Sequence, residues 1–385
     1  MNRRSVFFML AQLGCAALLA SCDDDPTEPQ LNTLEEVPLV GLDAEGAFLD
    51  IAFSGTLAID TGTAVIFRGL AVGSVASGVA PNQTFVPLAA SLNANGSWAS
   101  DPSINLPSTG LLTAVAMTSS DLAVIAGVDL SALSGFILDE RNGWSQHNVA
   151  VGGLAFAVHD DTLRVAGASG TTQQVMISTA PDSWTLETVP YSSTGQNERQ
   201  LQDLSARGGR WVACGFDDAG DGTPDSPNNV LFLNQGAGWE RISVSCGGCS
   251  NREFRSVAAS ETGGVLLGGA VTDFTGGANE YTASLLVRSV SGDWAPLTLP
   301  APTELKRVND ILIAQDGTVY LACGLGTTSY LVRSVNGDSM VRDATVTKAR
   351  INRLAESPDG SIWAAGAVLD AEGNVLRPAI WKRTS

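Results

Sequence analysis

Carboxylates carry most of the chemistry this chain could offer. Its 385 residues include 40 acidic and 22 basic side chains, 2 histidines and 6 cysteines. The densest acidic group is Asp217-Asp218-Ala-Gly-Asp221-Gly222-Thr-Pro-Asp225. Spaced carboxylates with a glycine for the sharp turn fit part of a D-x-D-x-D-G calcium loop. Ala219 stands at the third ligand position and Asn228 where a bidentate Glu belongs. Asp217, Asp221 and Asp225 therefore read either as weak calcium ligands or as a solvated acidic loop, and the second is favoured. Calcium is the one cofactor the sequence suggests. Cys246-Gly-Gly-Cys249 reads as a local disulfide; a thioredoxin-type redox pair would open a helix, and zinc would need two further ligands. His147 and His159 have no serine or metal-ligand partner at a telling spacing, so both read as structural or solvent-facing. The net charge of −18 argues against nucleic acid, whose binding depends on basic side chains that displace counterions.

The elements that must position these groups are repeats. An apolar run ending in a small residue and glycine recurs at Val72-Gly73, Ala126-Gly127, Ala166-Gly167, Cys214-Gly215, Gly268-Gly269, Cys323-Gly324 and Ala365-Gly366. Upstream of each lie two apolar residues three apart, with a variable residue before the second: Phe48/Ile51, Leu112/Val115, Val151/Leu154, Leu201/Leu204, Phe254/Val257, Val308/Ile311 and Ile351/Leu354. In the first copy an insertion near Leu57 to Ile66 separates the two landmarks. A turn followed by Trp98, Trp144, Trp184, Trp239 or Trp294 completes the unit, with Met340 in the sixth copy. Alternating β-branched segments and turn pairs such as Asp316-Gly317 and Asn142-Gly143 lie between.

Seven units of four short strands predict an all-β, seven-bladed β-propeller, the architecture in which radial packing shields strand edges. The chain ends after a third strand, so the last blade lacks its outer strand. Leu34 to Val40 is spare and is expected to supply it by pairing the two termini. The tryptophans are then inter-blade packing residues, and Cys214 and Cys323 small buried core residues. The variable position forms a ring about the axis: Asp50, Ala114, Gly153, Asp203, Ser256, Asp310 and Arg353. Such a ring either coordinates a cation or polar ligand, or bonds neighbouring backbones and channel water; the second is favoured.

Arg3 and Arg4 precede an apolar run from Val6 to Ala20 that is too short to span a membrane. It ends Leu19-Ala20-Ser21-Cys22, which resembles the lipobox of bacterial lipoproteins. That resemblance implies cleavage before Cys22, acylation of Cys22 and a lipid-anchored place in the cell envelope. Residues 1–21 are then a signal peptide, 22–30 a tether without apolar residues, and 31–385 the propeller. Ser289-Val-Ser-Gly292-Asp293-Trp294 and Ser334-Val-Asn-Gly337-Asp338 resemble degraded Asp-box hairpins of sialidase-like propellers. No sialidase arginine cluster, nucleophile or acid maps onto this sequence, so that resemblance implies no activity.

Function concentrates on long loops of a rigid scaffold. The long connections here are second-to-third and outer-to-inner ones, which share one face, and four of five fall in blades 4 and 5. They bring Tyr191, Glu198, Arg252, Asp273, Phe274 and Tyr281 toward one sector beside the acidic loop. An aromatic and acidic patch suits an envelope protein, peptide or glycan partner. The expected function is a non-catalytic, monomeric binding or scaffold lipoprotein. The alternative is an envelope glycan hydrolase or lyase with Asp203 and Asp310 as general acid and base.

Overall fold

The structure is a computed structural model that describes residues 32–54, 58–59, 65–77, 84–130, 132, 134–149, 152–169, 172–190, 199–217, 228–244, 252–273, 280–335 and 339–384. It is a seven-bladed β-propeller. The innermost strands are Gly46–Phe53, Leu111–Met117, Gly152–His159, Arg199–Arg207, Arg252–Ala259, Val308–Ile313 and Ala349–Glu356. Each packs beside the next, and the seventh packs beside the first, so the ring is closed. From each inner strand three more follow outward as an antiparallel meander. Blade 1 adds a fifth strand, and a separate two-stranded hairpin, Ala58–Ile59 with Val65–Ile66, occupies its insertion.

A sheet buried on both faces needs apolar residues on both, and the core is accordingly laminar. Among the described residues, buried apolar side chains form seven clusters, one between each pair of neighbouring blades. A residue at or beside the start of each outer strand packs back onto the preceding blade. Trp98 joins the layer between blades 7 and 1, Trp144 that between 1 and 2, and Trp184 that between 2 and 3. Trp239, Trp294 and Met340 repeat the pattern for the next three layers. In blade 7 the place is taken by Leu34, from the other end of the chain. Cys214 and Cys323 are buried free thiols in these layers, whose burial pushes both pKa values up.

Terminal closure is as the sequence predicts, with an addition. Thr33–Glu36 pairs antiparallel with the third strand of blade 7, Val375–Thr384, from Thr33 opposite Thr384 to Glu36 opposite Trp381. Pro38 then interrupts the spare segment, and Leu39–Val40 continues as a parallel strand beside Trp98–Ser100 of blade 1. The same eight residues thus fasten both sides of the seam, with Val37 N bonded to Ile380 O at 2.9 Å and Trp98 N to Pro38 O at 3.0 Å.

Every inner strand carries a one-residue bulge beside the small-Gly landmark. The bulge explains the glycine. A Cβ on Gly269 would lie 1.7 Å from the Glu253 carbonyl oxygen, and one on Gly366 1.8 Å from that of Arg350. Two registers differ from the sequence expectation. In blade 3 the residue opposite landmark Gly167 is Gly153 and the bulge is Leu154, so Ala155, not Gly153, holds the ring position. The true frame pairs Gly153 with Phe156, whereas Val151/Leu154 is the pair with two large apolar residues, which is why sequence spacing selects the wrong frame. In blade 6 Cys323 takes the landmark glycine's place opposite Val308. There the Arg307 carbonyl is turned to accept from Gly324 N at 2.9 Å.

Candidate functional site

A bulge removes one residue from the ladder, so backbone groups at the axis must find other partners. Two tiers of side chains supply them. In the deeper tier each polar ring residue caps the next blade. Asp50 Oδ2 accepts from Val115 N at 2.8 Å, Asp203 Oδ2 from Val257 N at 2.8 Å, Ser256 Oγ from Ile311 N at 3.0 Å and Asp310 Oδ2 from Leu354 N at 2.7 Å. In each case the donor is the residue after the neighbour's ring position. Arg353 can accept nothing, so Ile51 N is satisfied by its own neighbour, Asp50 Oδ1, at 2.9 Å.

Arg353 instead offsets part of the ring's negative charge. It reaches from blade 7 across the axis, with Nη2 2.8 Å from Asp203 Oδ1, Nη1 2.8 Å from Asp310 Oδ1 and Nε 3.7 Å from Asp50 Oδ1. Ser256 Oγ bridges Asp203 at 2.8 Å and Asp310 at 3.2 Å. Three buried acids around one base leave an excess of negative charge. Burial pushes Asp50 up to about 6 against the opposing pull of Arg353 and its two N–H donors. Burial likewise raises Asp310, and the neighbouring Asp203 adds to it. Burial disfavours the charge on Arg353, but Asp203, Asp310 and Asp50 outweigh it and hold its pKa above the ordinary arginine value. The favoured sequence reading, that ring residues bond neighbouring backbones, describes this tier.

The shallower tier consists of the bulged residues, one position earlier. Asn309 Nδ2 donates to Ile351 O at 3.2 Å and Asn352 Nδ2 to Phe48 O at 2.7 Å, each capping the next blade's carbonyl two residues before its ring position. Gln202 accepts from Arg255 Nη1 at 3.0 Å, and Arg255 also pairs with Glu253. Arg307, just before the blade 6 inner strand, donates from Nε to Asn309 Oδ1 at 2.9 Å. Above these side chains lies a cavity of about 310 Å³ lined by Leu49, Thr113, Gln202, Arg255, Arg307, Asn309, Asn352 and Arg353. Most of its lining lies in the first half of an inner strand, so the cavity sits at the end of the ring that receives the outer-to-inner and second-to-third connections.

The predicted ring residues Asp50, Asp203, Asp310 and Arg353 are thus brought into one cluster. Of the predicted binding face, Arg252 opens the blade 5 inner strand and bonds Ser284, and Tyr281, in the third strand of that blade, lies within electrostatic reach of Arg307. Asp217 and Asp273 end second strands. Cys22, Tyr191, Glu198, Asp221, Asp225, Cys246, Cys249 and Phe274 lie outside the described residues. Among the described residues no group of three or more His, Cys, Asp or Glu is placed to hold a metal. Both histidines tie turns of neighbouring blades at the opposite end: His147 contacts Asp182 at 2.5 Å, and His159 Nε2 accepts from Gly209 N at 2.8 Å. Arg255, Arg307 and the amide tier are absent from the sequence expectation. Their signal was available, because the residue before the ring position is Gln202, Arg255, Asn309 and Asn352 in four successive blades, excess polarity for a buried strand.

The sequence matches no family model and no curated protein. Solved structures share the fold. The Kuenenia stuttgartiensis hydrazine synthase is 12% identical, over 86% of this chain and 97% of that one, with a TM-score of 0.56. A protein from Lactobacillus plantarum is 14% identical, over 82% of this chain and 98% of that one, with a TM-score of 0.53.

Proposed function

We propose that this chain is a lipid-anchored protein of the bacterial cell envelope that binds its ligand without transforming it. The ligand seats at the axial cavity, on the face that also carries the long connections. The cavity is the observation that carries this reading, because it is a polar hollow at the centre of a rigid ring, with side chains held in place by their own hydrogen bonds. The deeper tier supports binding over catalysis. Asp203 and Asp310, the acid and base of the hydrolase alternative, have oxygens engaged by Arg353, Ser256 and backbone N–H groups. A general acid or base needs a carboxyl within reach of substrate.

The test is equilibrium dialysis of the intact protein against soluble fragments of the host's envelope, with both chambers analysed by mass spectrometry. A compound enriched with the protein and chemically unchanged is the expected result. Conversion of fragments would overturn it in favour of the hydrolase. The anchor rests on Leu19-Ala20-Ser21-Cys22: Cys22→Ala should abolish labelling by a fatty-acid probe, and normal labelling would rule the anchor out. Weak calcium binding by Asp217, Asp221 and Asp225 belongs to the same reading of the loop face. Calorimetry that fails to distinguish Asp221→Ala from wild type would remove it.

A further inference from the structure

We propose that the axial cavity is an anion site for a small hydroxylated carboxylate of the sugar-acid class, with Arg307 and Arg255 as its charge partners. The inference rests on the binding reading above and assigns the ligand's chemistry.

The charge at the cavity mouth runs against the rest of the molecule. In a chain of net charge −18, Arg307 stands in the field of two further cations, Arg255 and Arg350, and of one carboxylate, Glu253. Burial and these two like charges push Arg307 below the ordinary arginine value, so an anion placed beside it would be stabilised. The acids of the deeper tier do not meet this need, since they are turned to Arg353 and to backbone N–H groups.

The two guanidinium groups are also fixed in different ways. Arg255 is held on both sides, by Gln202 and by Glu253. Arg307 is pinned through Nε to Asn309 Oδ1 at 2.9 Å, and its Nη edge makes no hydrogen bond among the described residues. A planar N–H fork of this kind matches a carboxylate. The remaining lining is mostly neutral and polar: Thr113, Gln202, Asn309 and Asn352 line the cavity with a hydroxyl and amides already bonded to the ring, and their remaining hydrogen-bonding capacity suits hydroxyl groups better than apolar ones. The cavity, about 310 Å³, is at the small end of ligand pockets and fits one ring-sized compound. One pinned fork, one supporting cation and neutral amides suit a single negative charge with hydroxyls around it better than a doubly charged phosphate.

The test is calorimetry of the intact protein with D-glucuronate, D-glucose and inorganic phosphate as probes, at low and moderate salt. Saturable glucuronate binding that weakens with salt is expected, with glucose at least about tenfold weaker. Arg307→Gln should weaken glucuronate at least about tenfold, since it removes a charge-assisted bond, and Arg307→Lys should lose less. Thermal unfolding of each variant checks that the ring is intact, and Arg255→Gln repeats the test from the other side of the cavity. Glucose binding as tightly as glucuronate, phosphate binding more tightly than either, or Arg307→Gln binding like wild type in a folded protein would each overturn the inference. A neutral envelope fragment retained unchanged in dialysis, and indifferent to Arg307→Gln, would overturn it while leaving the binding reading in place.

Discussion

Blade 7 is held at its two edges by charge clusters of opposite composition. At the inner edge one cation, Arg353, sits among Asp50, Asp203 and Asp310. At the outer edge one anion, Asp343 of blade 6, sits among Arg333 at 2.6 Å, Arg383 at 2.6 Å and the Asn32 amide at 2.7 Å. Asp343 is buried, and Arg353 is mostly so. At the inner edge burial, with a lesser push from the neighbouring acids, raises Asp50 and Asp310. At the outer edge burial pushes Asp343 up, yet bonds from Arg383 and Asn32 hold it below the usual carboxylate range. The difference teaches what each cluster is for. The inner acids persist because bulged strands present N–H groups that need acceptors, and Arg353 limits the cost of their charge. The outer acid exists to gather two arginines and the first described residue of the chain at one seam.

The comparison can be broken in four ways. Deleting residues 31–40 removes Asn32 and the outer strand of blade 7 together, and should cause the largest loss, visible in thermal unfolding as a lower, broader transition. Unchanged unfolding would refute closure by the termini. Arg353→Met strands three buried carboxylates and should cost about 3–5 kcal/mol in urea denaturation at pH 7, less at pH 5 as the acids take up protons. A cost below about 1 kcal/mol at both pH values would show that backbone donors alone sustain the inner ring. Asp343→Asn keeps the shape but leaves two cations facing an amide. A loss of about 2–3 kcal/mol is expected at neutral pH. Because Asp343 is depressed in the folded state, its contribution should be full above the unfolded carboxylate value and fade as pH falls through its lower folded value.

The smallest expected effect has the opposite sign of pH dependence. Asp50 titrates at about 6 when folded against about 3.9 when unfolded, so between those values the native state holds more protons. Its ionisation should therefore lower stability, on the order of 1–2 kcal/mol, as pH rises from about 4 to about 6. Asp50→Asn should remove that slope, seen by subtracting its stability profile from the wild type's. Parallel profiles would place the excess negative charge on another carboxylate.

The fold was legible because each landmark has a mechanical cause that repeats: the glycine under the bulge, the Trp or Met against the preceding blade, the apolar pair on the inner strand. Even the unusual closure was legible, since a strand was missing at one terminus and surplus at the other. Ring position 155 was hidden because the true frame in blade 3 puts Gly153, not a large apolar residue, three before Phe156, so the apolar spacing is met by Val151/Leu154 and only the ladder opposite Gly167 reveals the frame. The meeting of Arg353 with Asp203 was hidden for a different reason. They lie 150 positions apart, in blades that do not touch as neighbours, and only a narrow axis brings their tips together. The cavity arginines escaped because one stands on a bulge and the other before the strand begins, where repeat alignment assigns no fixed direction to a side chain.

The double fastening of residues 33–40 also sets an order in time. Thr33 faces Thr384, so this segment must wait for one synthesised 351 residues later before it can pair. Blades 1 to 6 are local meanders that can form as soon as their own four strands exist, whereas the seam is the most distant strand pairing among the described residues and carries the greatest loop-closure entropy. Until it forms, the third strand of blade 7 and the outer strand of blade 1 both present open backbone edges to their surroundings. Arrival of the Val375–Thr384 strand is therefore the moment at which the molecule can change from a chain of blades with two adhesive ends into a ring with none at its seam.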